Sequence, residues 1–196
     1  MSNPEFHAVL DLLSLLLFDW RTGILLVLLL TAAVIDYRTH RIPNRLVIVG
    51  IVFGLLYNMA FPLYSDESRL SPFLGMMFGF LAFLPLYGIG AMGAGDVKLM
   101  AMVGSIVGPR DMLPILLCTM ITGGVLSLLL VLYRGTAGRM FHNLRGIFKL
   151  TVLNTLTGGR PNVHFDASTS AAKLPYGVAI AIGTIGYLTS HQLGFI

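Results

Sequence analysis

The chain has 196 residues, of which 56% are hydrophobic and 11% are charged, and its mean hydropathy is +0.82. Soluble domains carry about 25% charged residues, so this composition excludes a soluble globular fold and indicates an integral membrane protein. The formal net charge is +4, but the basic residues form no compact cluster, so no nucleic-acid partner is expected. The single cysteine, Cys118, lies in an apolar run, and the five histidines have no ligand spacing. We therefore expect no metal and no other cofactor.

Six apolar segments predict an all-α, polytopic membrane protein with about six transmembrane helices. Their approximate bounds are 20–36, 43–63, 71–89, 97–107, 112–133 and 174–190. A membrane-spanning helix needs about 20 residues, so the fourth segment is short and the first is marginal. An apolar but interrupted stretch, 8–18, lies in the membrane interface or extends the first helix. The start of the chain has no signal-peptide pattern, so the first span is expected to remain in the mature protein.

The basic residues are distributed unequally between the two sides of the membrane. Ten lie on the side that holds the loop after the first segment, the turn at 93–98 and the connection 134–173, and three lie opposite. The ten are Arg38, Arg41, Arg45, Lys98, Arg134, Arg139, Arg145, Lys149, Arg160 and Lys173, and the three are Arg21, Arg69 and Arg110. The positive-inside rule makes the ten-residue side cytoplasmic. Asp36 and Asp96 are then expected at the cytoplasmic face.

The connection 134–173 is predicted to be a cytoplasmic loop that contains an amphipathic helix. From 139 to 156, apolar residues recur at helical spacing with basic residues between them. Such a helix is expected to lie on the anionic cytoplasmic leaflet, and the pattern leaves open whether it does more than anchor the protein. The whole chain, 1–196, is expected to form a single integral-membrane domain.

Pairs of glycines separated by three residues occur in three of the apolar segments. They are Gly50 and Gly54, Gly75 and Gly79, and Gly104 and Gly108. Small residues one helical turn apart allow helix backbones to approach closely. We expect these pairs to pack helices within one chain, and a homo-oligomer is the alternative.

Asp36 is a candidate functional residue at the end of the first apolar segment. A carboxylate there opposes the helix macrodipole, and an acidic residue in a membrane segment costs about 3 kcal/mol unless it is paired or solvated. The alternative is a surface aspartate in a cytoplasmic loop that pairs with the charge of Arg38 or Arg41. The following Pro43 and Asn44 are expected to begin the next helix.

Asp96 lies in the sequence Gly93-Ala94-Gly95-Asp96-Val97-Lys98, before the fourth apolar segment. One reading makes it the N-cap of a helix that begins at Val97, a position that aspartate favours. The flanking Gly93 and Gly95 remove side-chain bulk, so that another backbone, such as an extended substrate strand, can come close. The capping role and a functional role are compatible.

Two carboxylates on different helices at one membrane depth can act as an acid–base pair. Like charges a few ångströms apart do not both ionise readily, so one pKa rises and the pair holds one proton near neutrality. The ionised member then accepts a proton from water while the protonated member polarises a scissile carbonyl. Asp36 and Asp96 could therefore hydrolyse a peptide bond without a metal or a serine or cysteine nucleophile.

Asp36 followed by Ile42-Pro43-Asn44, together with Gly93-Ala94-Gly95-Asp96-Val97-Lys98, resembles the two signature motifs of the type IV prepilin peptidases. These are intramembrane aspartic proteases of the GxGD class. The segment 174–180, Leu-Pro-Tyr-Gly-Val-Ala-Ile, is similar to the start of the last helix in that family. The resemblance extends from about residue 20 to residue 190. The short form resembles the peptidases of tight-adherence (Flp) pilus systems.

The resemblance implies that Asp36 and Asp96 are the catalytic pair. It implies cleavage of the short basic leader of prepilins or pseudopilins at the cytoplasmic face of a bacterial inner membrane, before the substrate's hydrophobic segment. The long members of the family carry a cytosolic domain with paired Cys-x-x-Cys motifs, which this chain lacks. Peptidase activity without N-methylation is therefore expected.

Six further residues of the two motifs are expected to bind substrate or support the aspartates: Arg41, Pro43, Asn44, Gly93, Gly95 and Lys98. Lys98 and Arg41 could orient an acidic group of the substrate or tune the aspartates, and simple positive-inside anchoring is the alternative. Two other functions compete with a peptidase. One is an ion-coupled small transporter that uses the same aspartates, and the other is a purely structural membrane subunit. No broken helix or paired repeat favours a transporter.

Overall fold

The computed structural model describes residues 20–61, 68–133 and 175–192, and all regular structure within these ranges is helical. Six α-helices follow in chain order: α1 Trp20–Thr39, α2 Asn44–Ala60, α3 Ser71–Gly88, α4 Ala94–Val107, α5 Met112–Tyr133 and α6 Tyr176–Gln192. The all-α prediction is confirmed.

Helices α1, α3 and α5 are long and apolar enough to cross a membrane, and α2 is an apolar helix of 17 residues. The protein is thus built as a membrane protein, while six complete spans remain a prediction. Several bounds differ from those expected. Helix α1 continues three residues past Asp36, α4 begins three residues before Val97, and α2 ends at Ala60, three residues before the expected bound. At Asp36 and Val97 the predicted bounds follow the apolar residues, whereas the backbone helix extends into the flanking sequence.

The chain divides into two compact units, which are Met1–Gly123 with Pro175–Ile196, and Gly124–Leu174. Of the second unit, the structure describes the end of α5 only. The predicted interfacial stretch 8–18 and the predicted amphipathic helix in 134–173 lie outside the described residues.

Helix α4 forms the centre of the first unit. All residues from Leu99 to Val107 are buried, and α4 packs closely against both α2 and α3. A helix that is apolar on all sides needs neighbours on all sides. This enclosure explains why only 14 residues suffice, because backbone near the membrane surface is tolerated where protein covers it.

The end of α4 is held by a buried amide on α2. The Asn58 Nδ2 atom donates to the carbonyl oxygens of Ser105 and Ile106, each at 2.8 Å. These carbonyls belong to the last turn of the helix, which has no partners of its own for them. The chain then leaves the helix at Gly108, whose φ of 88° is open to glycine and costly for other residues. Both features fix where α4 stops.

The spaced glycines pack helices within the chain, as predicted. The backbones of Gly75 and Gly104 touch directly, and a Cβ on either would overlap the other's carbonyl oxygen. Gly79 faces the Met100 carbonyl oxygen, and Gly54 faces Ser105. The seam between α3 and α4 therefore consists of backbone against backbone.

Gly75→Ala is expected to lower the free energy of unfolding by about 2 kcal/mol, because the added methyl group has no space and overpacking costs about 1–3 kcal/mol. Gly88→Ala on the same helix is the matched control, since a Cβ there meets no atom within 4 Å. Denaturant or thermal unfolding in detergent measures the difference between the two variants. Equal stability would contradict the close packing of α3 on α4.

Candidate active site

Asp36 is a buried carboxylate in the last turn of α1, with 5% of its surface exposed. Its Oδ2 atom accepts a hydrogen bond of 2.7 Å from the backbone N–H of Gly177, in the first turn of α6. The N-terminus of a helix favours negative charge, so α6 compensates the unfavourable position of Asp36 on α1. Arg38 and Arg41 are exposed, whereas Asp36 is buried. The alternative of a surface aspartate in a cytoplasmic loop is therefore wrong.

The contact between Asp36 and α6 requires glycine at position 177. A Cβ there would lie 2.8 Å from Oδ2, 3.0 Å from Cβ and 3.1 Å from Cγ of Asp36. Real Cβ atoms almost never approach other atoms this closely, so any larger residue displaces the carboxylate. Gly177 thus supplies both the hydrogen bond and the space for Asp36.

Asp96 is the third residue of α4 and is also buried, with 8% of its surface exposed. The N-cap of α4 is Gly93, so the interpretation of Asp96 as N-cap is wrong. The Asp96 Oδ2 atom accepts from the Gly93 N–H at 3.0 Å, and the Asp96 N–H donates to the Gly93 carbonyl oxygen at 3.1 Å. This reciprocal pair closes the first turn in the manner of a capping box. Because Gly93 has no side chain to cap the helix, the only side-chain hydrogen bond of this pair is the one that the Asp96 carboxylate accepts from the Gly93 N–H.

The two carboxylates interact electrostatically. Burial raises the pKa of Asp96 to about 6. The hydrogen bond from Gly93 acts in the opposite direction, and the charge of Asp36 raises the pKa of Asp96 further. A raised pKa keeps a proton available close to neutral pH. This influence supports the prediction that Asp36 and Asp96 share one site.

The two motifs are also in direct contact. Gly95 packs on Ile42, whose Cβ would lie 3.2 Å from a Cβ added at the glycine. The Lys98 Nζ atom donates to Asn44 Oδ1 at 3.1 Å. The segment after Asp36 and the segment around Asp96 thus meet in space.

The other motif residues differ in what they contact. Pro43 is the N-cap of α2, and its carbonyl oxygen accepts from the Val47 N–H at 3.4 Å. The Arg41 carbonyl oxygen accepts from the Thr39 hydroxyl at 3.1 Å, while its guanidinium group is directed to no hydrogen-bond partner in the described ranges. Within the described residues, neither the Arg41 guanidinium group nor Pro43 forms a hydrogen bond with an aspartate, so their supporting role stays a prediction.

The contribution of α6 is the part that sequence reasoning missed. Gly177 binds Asp36, and the charge of Asp96 acts on the phenol of the neighbouring Tyr176. The resemblance points to the segment 174–180 but assigns no role to any of its residues. The available signal was a glycine directly after Pro175 and Tyr176 at the start of a helix, where the first N–H groups are free to bind an anion.

Fold and site together define a polytopic helical membrane protein with two buried, interacting aspartates at the ends of separate helices. The sequence profile of the type IV leader peptidase family matches residues 23–128, which is more than half of the chain and includes both aspartates. The chain belongs to this family.

Two curated relatives carry the same description, "Prepilin leader peptidase/N-methyltransferase". The protein from Myxococcus xanthus (strain DK1622) is 33% identical over 127 residues, which cover 61% of this chain and 37% of the relative. The protein from Pectobacterium carotovorum subsp. carotovorum is 32% identical over 117 residues, covering 56% of this chain and 41% of the relative. The chain thus spans about two fifths of the length of these relatives. No solved structure matches it significantly.

Proposed function

We propose that this protein is a prepilin peptidase that hydrolyses peptide bonds with Asp36 and Asp96. The observation that carries the proposal is the pair of buried, electrostatically interacting carboxylates within the part of the chain that matches the family. Two carboxylates that share a proton are sufficient for aspartic-protease chemistry. The names of the two relatives support a prepilin as the substrate.

In the proposed mechanism Asp96 begins as the protonated member and Asp36 as the ionised member. Burial disfavours charge on both carboxylates, and each accepts one backbone N–H. Asp36 is taken as the member that ionises because its N–H partner, Gly177, lies at the N-terminus of a separate helix, α6. Asp36 accepts a proton from water, the water oxygen attacks the scissile carbonyl carbon, and the Asp96 proton moves to the developing oxyanion. The proton on Asp36 then passes to the leaving amine, and the diol returns its proton to Asp96 as the C–N bond breaks.

The distribution of charge supports a site at the cytoplasmic face. The junction of α1 with α2 and the start of α4 lie at one end of the helices, with exposed Arg38, Arg41, Arg45 and Lys98. An excess of lysine and arginine marks the cytoplasmic side of a membrane. We accordingly place the protein in a bacterial inner membrane, with the aspartates at the cytoplasmic face. The resemblance of the motifs to those of the Flp-system peptidases supports an Flp-type prepilin or pseudopilin as substrate.

Incubation of the purified protein in detergent or lipid with a prepilin-type substrate tests the proposal. The expected result is a single cut between the basic leader and the hydrophobic segment, identified by mass spectrometry of both products. The Asp36→Asn/Asp96→Asn double variant, purified in parallel, controls for contaminating proteases. Intact substrate with the wild-type protein, or equal cleavage by the double variant, would exclude the peptidase and return the transporter to consideration.

A further inference from the structure

We infer that Lys98 and Asn44 form a positioning pair that sets the geometry of the two aspartates. The inference rests on the proposed peptidase function and assigns these residues a geometric role, distinct from substrate binding. Neither the Lys98 nor the Asn44 side chain forms a hydrogen bond with a carboxylate oxygen of Asp36 or Asp96. Each side chain instead acts through the backbone segment that carries one of the aspartates.

The hydrogen bond joins the two elements that must be aligned. Asn44 is the first residue of α2, eight residues after Asp36, and Lys98 lies two residues after Asp96. Lys98 Nζ donates to Asn44 Oδ1 at 3.1 Å, across 54 residues of sequence. The bond therefore connects the start of α4 to the segment that leaves the Asp36 helix.

A second contact makes the connection directional. Ile42 packs on Gly95, directly before Asp96, while Asn44 binds Lys98, two residues after Asp96. Two contacts on either side of one residue resist rotation of the helix end, whereas a single contact would act as a pivot. The Ile42–Gly95 contact sets the distance between the two segments. The Asn44–Lys98 hydrogen bond sets the rotation that turns Asp96 toward Asp36. Carboxylates that act together need placement within about 0.5 Å, so such a constraint bears directly on the rate.

A positioning role is distinct from tuning by charge. Burial, the Gly93 hydrogen bond and the charge of Asp36 are the largest influences on the pKa of Asp96. The Lys98 ammonium group is engaged by Asn44 at the solvent-exposed surface, where salt and water screen its charge. Removal of Lys98 should consequently change the rate and leave the pH profile in place.

The test is a double-mutant cycle on prepilin cleavage with Lys98→Met, Asn44→Leu and the combined variant. Each single change is expected to lower kcat about 10-fold, because small displacements of catalytic groups cost one to two orders of magnitude. KM should stay within about 2-fold, because a positioning role leaves the binding of substrate unchanged. The combined variant should be no slower than either single variant, since all three lack the same bond.

Two further variants complete the design. Lys98→Arg keeps a donor for Asn44 and should retain kcat within about 3-fold of wild type, as expected of a restored hydrogen bond. Arg45→Met removes an exposed cation adjacent to Asn44 and should leave kcat unchanged, which controls for surface charge. Melting temperatures of all variants should agree closely, because an exposed polar pair contributes little to global stability.

Three results would overturn the inference alone: wild-type kcat for Lys98→Met, additive losses in the combined variant, or a shifted pH profile, which would assign Lys98 to charge tuning. A fall in kcat that follows the melting temperature would also overturn it, by reducing the pair to a structural role. Absence of cleavage by the wild-type protein would overturn the proposed function and this inference with it.

Discussion

Asp36→Asn and Asp96→Asn are each expected to reduce prepilin cleavage about 10³-fold, to the background of the assay. Acid–base catalysis by a positioned side chain contributes about 10²–10⁴-fold, and an asparagine amide neither accepts nor releases a proton at neutral pH. Both carboxylates are needed in every turnover, one to take a proton from water and one to supply a proton to the carbonyl oxygen. Either substitution alone should therefore abolish cleavage above the background of the assay.

The same substitutions should leave the fold intact, which separates chemistry from structure. The amide oxygen of asparagine can still accept from the Gly177 N–H at position 36 and from the Gly93 N–H at position 96. Asparagine is also nearly isosteric with aspartate, so the buried space is filled as before. Melting temperatures close to that of the wild-type protein are expected.

Asp111→Asn is the matched control, because Asp111 lies between α4 and α5 at the other end of α4 and accepts from the Tyr187 hydroxyl at 2.8 Å. Its substitution should leave cleavage within about 2-fold of wild type, as for most changes away from a site. Cleavage rates from product peaks in mass spectrometry provide the comparison. Full activity in either Asp36→Asn or Asp96→Asn would exclude that residue from the chemistry.

Gly177→Ala is expected to lower kcat about 100-fold, because a displacement near 1 Å at a catalytic group costs that much. The added methyl group would meet the Asp36 carboxylate at 2.8 Å, and both are buried, so the carboxylate must move. The displaced carboxylate also loses the N–H that stabilises its charge. The effect is therefore on the position and charge of Asp36, and KM should change much less than kcat.

Gly186→Ala controls for the helix, since a Cβ at position 186 of α6 meets no atom within 4 Å. This variant should cleave at the wild-type rate and show an unchanged or slightly raised melting temperature, because alanine favours helix over glycine. Equal kcat for Gly177→Ala and Gly186→Ala would contradict a role for α6 in placing Asp36.

The helical segments could be predicted from the sequence, and the two aspartates could be recognised as candidate functional residues, because both depend on local information. Runs of apolar residues mark helices in a membrane, and a carboxylate beside such a run is conspicuous by its cost. The glycine pairs were informative for the same reason, since their spacing alone brings Gly75 and Gly79 to one face of α3.

The long-range contacts of the site could not be predicted, because no local pattern specifies them. Gly177 is 141 residues from Asp36, and Asn44 is 54 residues from Lys98. The capping of α4 was misassigned for a different reason. Aspartate is common both at the N-cap and two or three residues later, and only the backbone conformation of Gly93 distinguishes the two positions.

The enclosure of α4 has a consequence for how the protein responds to different lipids. Bilayers differ in hydrophobic thickness, and helices with lipid-facing surfaces adjust by tilting. Large apolar side chains of α1, α3 and α5 are exposed, whereas those of α4 from Leu99 to Val107 are covered by protein. We therefore expect the depth of Asp96 in the membrane to depend more on protein contacts than on hydrophobic mismatch at the lipid boundary.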